Sequence, residues 1–213
     1  MPELQKRIIS SISLIVILYL SFVNNLILST VLLAIVFLLF NEFHNIVKRI
    51  LINKKNYQLT FLFLILLYLI YFSLDIWLFL NTDSYNSKNI LFFILIICIS
   101  TDIGGYAFGK IFKGKKLTSI SPNKTYAGVI GSYLLSFVIS LIFFNEINSK
   151  VNYLVITFII SSLSQIGDLI ISYLKRKAKL KDTGTILPGH GGLLDRLDGI
   201  LFATPIGLFL VTL

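Results

Sequence analysis

Four aspartates are conspicuous in this chain because they fall inside or directly beside its apolar runs. Asp102 and Asp168 lie within such runs, whereas Asp195 and Asp198 lie where the last run begins. A charged side chain in hydrocarbon is costly, so such residues tend to mark a polar site. These four carboxylates are therefore the first candidates for chemistry.

The spacing of the aspartates predicts that their side chains converge. Asp102 and Asp168 precede the basic ends of their runs by eight and seven residues, which is about 10 to 12 Å along a helix. Asp195 and Asp198 share one face at the start of a helix. Like charges repel unless a cation lies between them, and Mg²⁺ prefers such oxygen ligands. The alternative is a set of helix-end charges paired with Arg196 and neighbouring lysines.

Basic and hydroxyl side chains near the aspartates are suited to phosphate groups. The segment SPNKT places Ser121, Lys124 and Thr125 directly before an apolar run, where the free amides of a helix start favour anions. Lys175 and Arg176 end another run and could hold a phosphate by charge-assisted hydrogen bonds. Each group is also typical of an ordinary basic membrane flank.

A glycine-rich loop, PGHGG, precedes the last two aspartates. Gly191 and Gly192 would allow close backbone approach to a ligand, and His190 could donate to a phosphate, although a lone loop histidine is as often structural. Carboxylates, a metal and basic groups together favour nucleotidyl or phosphoryl transfer, which depends on positioning and charge neutralisation. The residues predict a metal-dependent enzyme acting on a phosphorylated lipid.

The chain that positions these residues is predicted to be all-α, a polytopic integral membrane protein with about seven transmembrane helices. Of its 213 residues, 56% are hydrophobic and 14% are charged, and lipid requires backbone polar groups to be paired within helices. Its apolar runs are about long enough to span a bilayer: 8–23, 26–42, 58–80, 89–109, 127–144, 152–171 and 198–213.

Charge placement predicts the orientation. Seventeen of the 19 Lys and Arg residues fall in alternate segments, which predicts a cytoplasmic N-terminus and a polar cavity open to the cytoplasm. The net charge of +9 favours anionic lipid over nucleic acid as a neighbour. The single Cys98 excludes an internal disulfide, and the first run is predicted to be a retained helix. The other acidic residues are predicted to be solvated surface charges without a role: Glu3, Glu42, Asp75, Asp83 and Glu146.

The run from Ser172 to Asp198, SYLKRKAKLKDTGTILPGHGGLLDRLD, resembles the signature of the phosphatidate cytidylyltransferase family, the CDP-diacylglycerol synthases. Three shorter segments resemble other blocks of that family in the same order: DIGGYAFGK from Asp102, SPNKTYAG from Ser121 and SQIGDL around Asp168. The resemblance covers about residue 95 to the C-terminus.

The resemblance implies transfer of a cytidylyl group from CTP to phosphatidate at a bacterial inner (cytoplasmic) membrane. It implies Mg²⁺, with a second cation such as K⁺, on Asp168, Asp195 and Asp198, and it is compatible with a homodimer. Lys175 and Arg176 would join these aspartates as catalytic residues. Residues 1–88 would form N-terminal transmembrane helices and 89–213 the catalytic region. The substrate-binding residues would be Asp102, Ser121, Lys124, Thr125, Lys175, Arg176, His190, Gly191 and Gly192.

Departures from the family pattern and two rival functions stay open. Ala127 and Ile171 stand where the family often has glutamate, and the N-terminal part is shorter than usual by about two helices. A CTP-dependent polyprenol or phytol kinase-like enzyme resembles the long signature less well. A cation-coupled transporter would explain intramembrane aspartates but has no need of SPNKT or of the glycine-rich loop.

Overall fold

The computed structural model describes residues 3–82, 86–118, 121, 124–142, 151–186 and 191–212. Those residues form seven α-helices, and their only strand-like pairing is an isolated bridge between Lys116 and Thr125. The helices are α1 (Glu3–Val23), α2 (Asn25–Ile50), α3 (Lys55–Leu80), α4 (Ser87–Phe112), α5 (Tyr126–Ile142), α6 (Tyr153–Lys177) and α7 (Leu194–Thr212). The all-α class predicted from the apolar runs is confirmed.

Each predicted run corresponds to one helix, but two helices continue well past their apolar parts. α2 extends to Ile50 and α6 to Lys177, whereas their runs were predicted to end at 42 and 171. Both extensions carry basic residues in the last turn, where the partial negative charge of the helix end favours cations. Hydropathy therefore marks the part suited to lipid, and the helix itself is longer.

Four of the helices, α2, α3, α4 and α6, are long and apolar enough to cross a membrane. Their exposed faces are consistent with a lipid surrounding, since Leu59, Phe63 and Leu78 of α3 are all more than half exposed. The apolar parts of α1 (Ile8–Val23) and α5 are shorter, and α7 carries Asp195, Arg196 and Asp198 in its first turns. The chain thus has the helices of a membrane protein.

The first of two compact units comprises residues 1–78 and 174–197. α2 supplies much of its core, because Leu39 and Ile46 are almost completely buried, as is Leu69 of α3. The side chain of Asn24 caps α2 by accepting hydrogen bonds from the amides of Leu26 and Ile27. This unit contains the end of α6 and the beginning of α7.

The second unit comprises residues 79–173 and 198–213, and its helices approach one another closely at glycines. A Cβ on Gly104 of α4 would collide with the backbone oxygen of Gly131 in α5, so the two helices need small residues there. Ser132 Oγ donates to the carbonyl oxygen of Thr101 at 2.8 Å, and Thr101 Oγ1 donates to Ser161 Oγ of α6 at 3.0 Å. Side-chain hydrogen bonds thus join α4, α5 and α6.

Each unit consists of two separate stretches of the chain. The chain leaves the first unit after Leu78, returns to it at Leu174 and leaves it again after Leu197. The division into N-terminal helices (1–88) and a catalytic region (89–213) stays a prediction. The signature segment therefore contributes to the first unit together with the N-terminal helices. Hydropathy and motif order follow the chain, so they do not indicate which distant segments pack together.

Candidate active site

A cavity of about 290 Å³ lies in the second unit, among α4, α5, α6 and the segment before α5. Five of the predicted site residues face it, from three different places in the sequence. Their polar groups are two carboxylates, an ammonium and two hydroxyls, supplied by Asp102, Asp168, Lys124, Ser121 and Thr125. The structure thus brings together the SPNKT segment and the two aspartates of α4 and α6.

Lys124 and Asp168 form an ion pair within this cavity. Lys124 Nζ lies 2.5 Å from Asp168 Oδ2, and the two side chains are 24% and 29% exposed. Ser172 Oγ donates to the other carboxylate oxygen, Oδ1, at 3.2 Å. The pair is only partly covered, so a ligand entering the cavity could reach both charges.

The segment before α5 is folded by its own hydrogen bonds. Thr125 Oγ1 accepts from the amide of Gly128 at 3.1 Å, which satisfies one of the free donors at the start of α5. Ser121 accepts from the amide of Lys124 through its carbonyl oxygen at 3.0 Å, and its own amide donates to Thr118 Oγ1 at 3.2 Å. Lys124 and Thr125 both line the cavity.

Asp195 belongs to the first unit, where it is surrounded by donors. Its Oδ1 accepts from Lys175 Nζ at 2.6 Å, and its Oδ2 accepts from the amides of Thr183 and Gly192 at 2.8 and 3.1 Å. The side chains of Lys175 and Asp195 are only 16% and 9% exposed. This ion pair is thus more enclosed than the pair of Lys124 and Asp168.

The same donors keep Asp195 ionised. Burial raises the pKa of its carboxyl, but the hydrogen bonds from Lys175, Thr183 and Gly192 and the charge of Lys175 outweigh burial and lower that pKa. A lowered pKa means that these contacts stabilise the fold at any pH above the ordinary pKa of Asp. Their contribution is lost as the pH falls through the lowered value.

Gly191 and Gly192 of the signature are explained by backbone conformation and by contacts within the protein. Gly191 has φ +85°, in the left-handed region that favours glycine. A Cβ on Gly192 would collide with Thr183 Oγ1 and would lie 2.7 Å from the amide nitrogen of Gly184. The close approach predicted for Gly192 is therefore made by the chain itself.

The remaining predicted residues differ in how far the structure describes them. Arg176 follows Lys175 in the last turn of α6, and its side chain is exposed. Asp198 is 8% exposed and accepts from the amide of Gly199 at 2.9 Å. His190 lies outside the described residues, so its role stays a prediction.

A family model described as the cytidylyltransferase family matches residues 5–213. The chain belongs to this family. The match includes the cavity residues of the second unit and the donors around Asp195. Membership confirms the resemblance that the signature and the three shorter segments indicated.

Curated relatives carry a more specific name. The phosphatidate cytidylyltransferase of Bacillus subtilis (strain 168) is 42% identical over 137 residues, which cover 62% of this chain and 51% of that protein. That of Staphylococcus aureus (strain COL) is 41% identical over 140 residues, which cover 64% of this chain and 54% of that protein. That of Staphylococcus epidermidis (strain RP62A) is 41% identical over 132 residues, which cover 60% of this chain and 50% of that protein. The chain spans about half the length of the curated relatives it matches.

The role of one residue was predicted wrongly from the sequence. Glu42 was predicted to be a solvated surface charge, yet it is 2% exposed within α2. It accepts from Thr183 Oγ1 and from the amides of Leu193 and Leu194. The signal that could have found it is helical periodicity: Glu42 shares a face with residues 39 and 46, both apolar.

Carboxylate oxygens are ligands that Mg²⁺ prefers, but the structure brings only some of the predicted carboxylates together. Within the described ranges, no group of three or more His, Cys, Asp or Glu side chains is arranged to hold a metal ion. Asp102 and Asp168 face one cavity, so their carboxylates could supply two oxygen ligands to a metal ion. Asp168 and Asp195 each contact a lysine. The set Asp168, Asp195 and Asp198 stays a prediction.

Proposed function

We propose that this chain transfers the cytidylyl group of CTP to phosphatidate, giving CDP-diacylglycerol and pyrophosphate. The observation that carries the proposal is the cavity where Lys124 and two aspartates face the same space, in a member of the cytidylyltransferase family. The name of the quoted relatives, phosphatidate cytidylyltransferase, supports this choice of substrates. Groups of both charges suit a triphosphate together with its counter-ion.

The chemistry of phosphatidate makes the reaction simple for the protein. Its phosphate monoester has a second pKa of about 6 by analogy with phosphorylated side chains, so at neutral pH it is largely dianionic. One of its oxygens attacks the α-phosphorus of CTP, and the bond from that phosphorus to the oxygen bridging to the β-phosphorus breaks. That bridging oxygen leaves with the electron pair as part of pyrophosphate. No proton acceptor is needed, so the protein's task is to position anions and neutralise charge.

The residues of the cavity can perform this task. Lys124 can exchange its contact with Asp168 for a phosphate oxygen, because the pair is partly exposed. Thr125 accepts one hydrogen bond through Oγ1, and such a hydroxyl can still donate its own proton to a phosphate. Ser121, which also lines the cavity, offers a second hydroxyl. These three side chains are the proposed holders of the CTP phosphates.

Further residues are assigned by the resemblance. Lys175 and Arg176 are proposed to neutralise phosphate charge, and His190 to act through binding and loop shape. Mg²⁺, with a second cation such as K⁺, is proposed on Asp168, Asp195 and Asp198. When bound, it would neutralise charge on the pyrophosphate that leaves.

We place the chain in a bacterial inner membrane with a cytoplasmic N-terminus and the cavity open to the cytoplasm. Support comes from four helices able to cross a membrane, from the bacterial origin of the quoted relatives, and from the predominance of Lys and Arg in alternate segments. The cytoplasm is also where CTP would be supplied.

The proposal is tested with CTP labelled at either the α- or the γ-phosphorus. The purified protein in detergent micelles receives phosphatidate or a polyprenol, and the lipid extract is counted. Cytidylyl transfer puts the α-label, and no γ-label, into CDP-diacylglycerol in the reaction that received phosphatidate. A γ-label in polyprenol would replace the proposal by a lipid kinase, and no label in either lipid would favour a transporter. The Asp168→Asn variant in the same micelles is the matched control.

A further inference from the structure

We propose that Glu42 is a positioning residue of this enzyme: it holds the start of α7 and Thr183 in the arrangement that keeps Asp195 in place. The inference rests on the proposed function for its kinetic consequence, but its structural consequence can be measured without activity. Glu42 joins α2 to the signature segment by hydrogen bonds with Leu193 and Leu194, which are 151 and 152 residues away in the chain.

The contacts of Glu42 satisfy both of its carboxylate oxygens. Oε1 accepts from the amide of Leu193 at 2.8 Å, and Oε2 accepts from the amide of Leu194 at 2.9 Å and from Thr183 Oγ1 at 2.7 Å. The two amides lie at the start of α7, where amides have no partner within the helix and carry partial positive charge. The buried carboxylate of Glu42 is therefore stabilised by these donors.

Thr183 connects Glu42 to Asp195. Its Oγ1 lies 2.7 Å from Glu42 Oε2 and 3.0 Å from Asp195 Oδ2, and a hydroxyl has one proton to donate. The shorter distance favours donation to Glu42. Asp195 Oδ2 is then held by the backbone amides of Thr183 and Gly192, which Glu42 helps to keep in position.

The nearby glycines show how closely the loop lies against Glu42. A Cβ on Gly184 would lie 2.8 Å from Glu42 Oε1, and a Cβ on Gly192 would lie 2.6 Å from Glu42 Oε2. Thr183, which directly precedes Gly184, is 4% exposed. The carboxylate thus fills the space that the two glycines leave, so a change in Glu42 should shift the backbone next to the two amides that donate to Asp195.

Replacing Glu42 by glutamine is a sharp test because the amide has the same shape but cannot make the same bonds. Its Nε2 is a donor, and in either orientation it would face the amide of Leu193 or of Leu194, which are donors too. We expect Glu42→Gln to lower kcat about 10-fold to 100-fold, as loss of an outer partner of a functional side chain does, with little change in KM for CTP.

Thr183 supplies a conservative pair of variants that avoids removing the buried charge. Thr183→Val removes the hydroxyl and keeps the shape, so it should lower kcat in the same way, whereas Thr183→Ser keeps the hydroxyl and should restore it. The matched control is Asn24→Ala, which removes a side-chain cap from α2 in the same unit. It should lower thermal stability while leaving kcat at the wild-type value.

Hydrogen exchange measured by mass spectrometry gives the readout that does not depend on activity. In Glu42→Gln, faster exchange should be confined to peptides covering residues 183–195, whereas Asn24→Ala should affect peptides of α2. Faster exchange throughout the chain, or a kcat equal to that of the wild type in Glu42→Gln and Thr183→Val, would overturn the inference. If the wild type forms no CDP-lipid, the proposed function fails while the local change in exchange still decides whether Glu42 holds this segment.

Discussion

The two aspartate sites of this protein differ in how completely the fold satisfies them. In the first unit, Asp195 is 9% exposed and accepts from Lys175, Thr183 and Gly192, with Glu42 buried beside it. In the second unit, Asp168 is 29% exposed and faces a cavity together with Lys124 and Asp102. A buried carboxylate whose oxygens all accept hydrogen bonds stabilises the local fold, whereas a partly exposed carboxylate can exchange its partner for a ligand.

This difference separates two effects that activity alone would confuse. Substitution in the cavity should remove function and leave the fold intact, because its groups are partly exposed. Substitution around Asp195 should affect both, because each partner left behind would be a buried and unsatisfied polar group.

Asparagine at either aspartate should produce the largest effect and also distinguish the two sites. We expect Asp168→Asn and Asp195→Asn each to lower kcat/KM about 100-fold or more, because each removes a negative charge from the proposed metal and phosphate site. Only Asp195→Asn should also lower the melting temperature, by about 5 °C, since it weakens an enclosed ion pair. Thermal unfolding in detergent beside the CTP assay measures both. Equal stability of the two variants would contradict the comparison.

Loss of the cavity lysine should have an intermediate effect that is expressed in substrate binding. Lys124→Ala should raise KM for CTP about 10-fold, the value of one charge-assisted hydrogen bond to phosphate, and should leave thermal stability near that of the wild type. Initial rates over a range of CTP concentrations give KM. Lys110→Ala, at the exposed end of α4, is the control for removing a basic residue. An unchanged KM in Lys124→Ala would remove Lys124 from the phosphate site.

The smallest effect is expected at the signature histidine. If phosphatidate attacks as a dianion, His190→Gln should keep hydrogen bonding and lower kcat only about threefold, which is under 1 kcal/mol of barrier. We expect the rate of this variant and of the wild type to depend steeply on Mg²⁺ concentration. A rate as low as that of Asp195→Asn with normal CTP binding would require a histidine base in place of direct attack.

Much of the fold could be predicted because lipid imposes a simple rule on sequence. Long apolar runs must be helices, and all seven predicted runs correspond to helices in the described parts of the chain. Helix ends were less certain, since α2 and α6 continue through polar residues that hydropathy treats as loop. Four of the seven helices are long and apolar enough to cross a membrane, so the sequence determined the elements better than their relation to the bilayer.

The candidate site was predictable where charge placement alone decides the outcome. Asp102 and Asp168 lie at matching distances from basic helix ends, and both face the cavity together with Lys124. The sequence could not determine that Lys124 contacts Asp168, whereas Lys175 contacts Asp195. Such pairing depends on which helix faces lie together.

Sequence by itself determined the family, the all-α class and the set of charged residues, because each follows from residue type and local spacing. Only the tertiary structure decided that Glu42 is a buried partner of the signature segment and that Gly192 is small because Thr183 and Glu42 occupy the adjacent space. The physical reason is that burial and hydrogen bonding depend on contacts between residues far apart in the chain. A charge that looks like a solvated helix end becomes, once α2 packs, the acceptor for the start of α7.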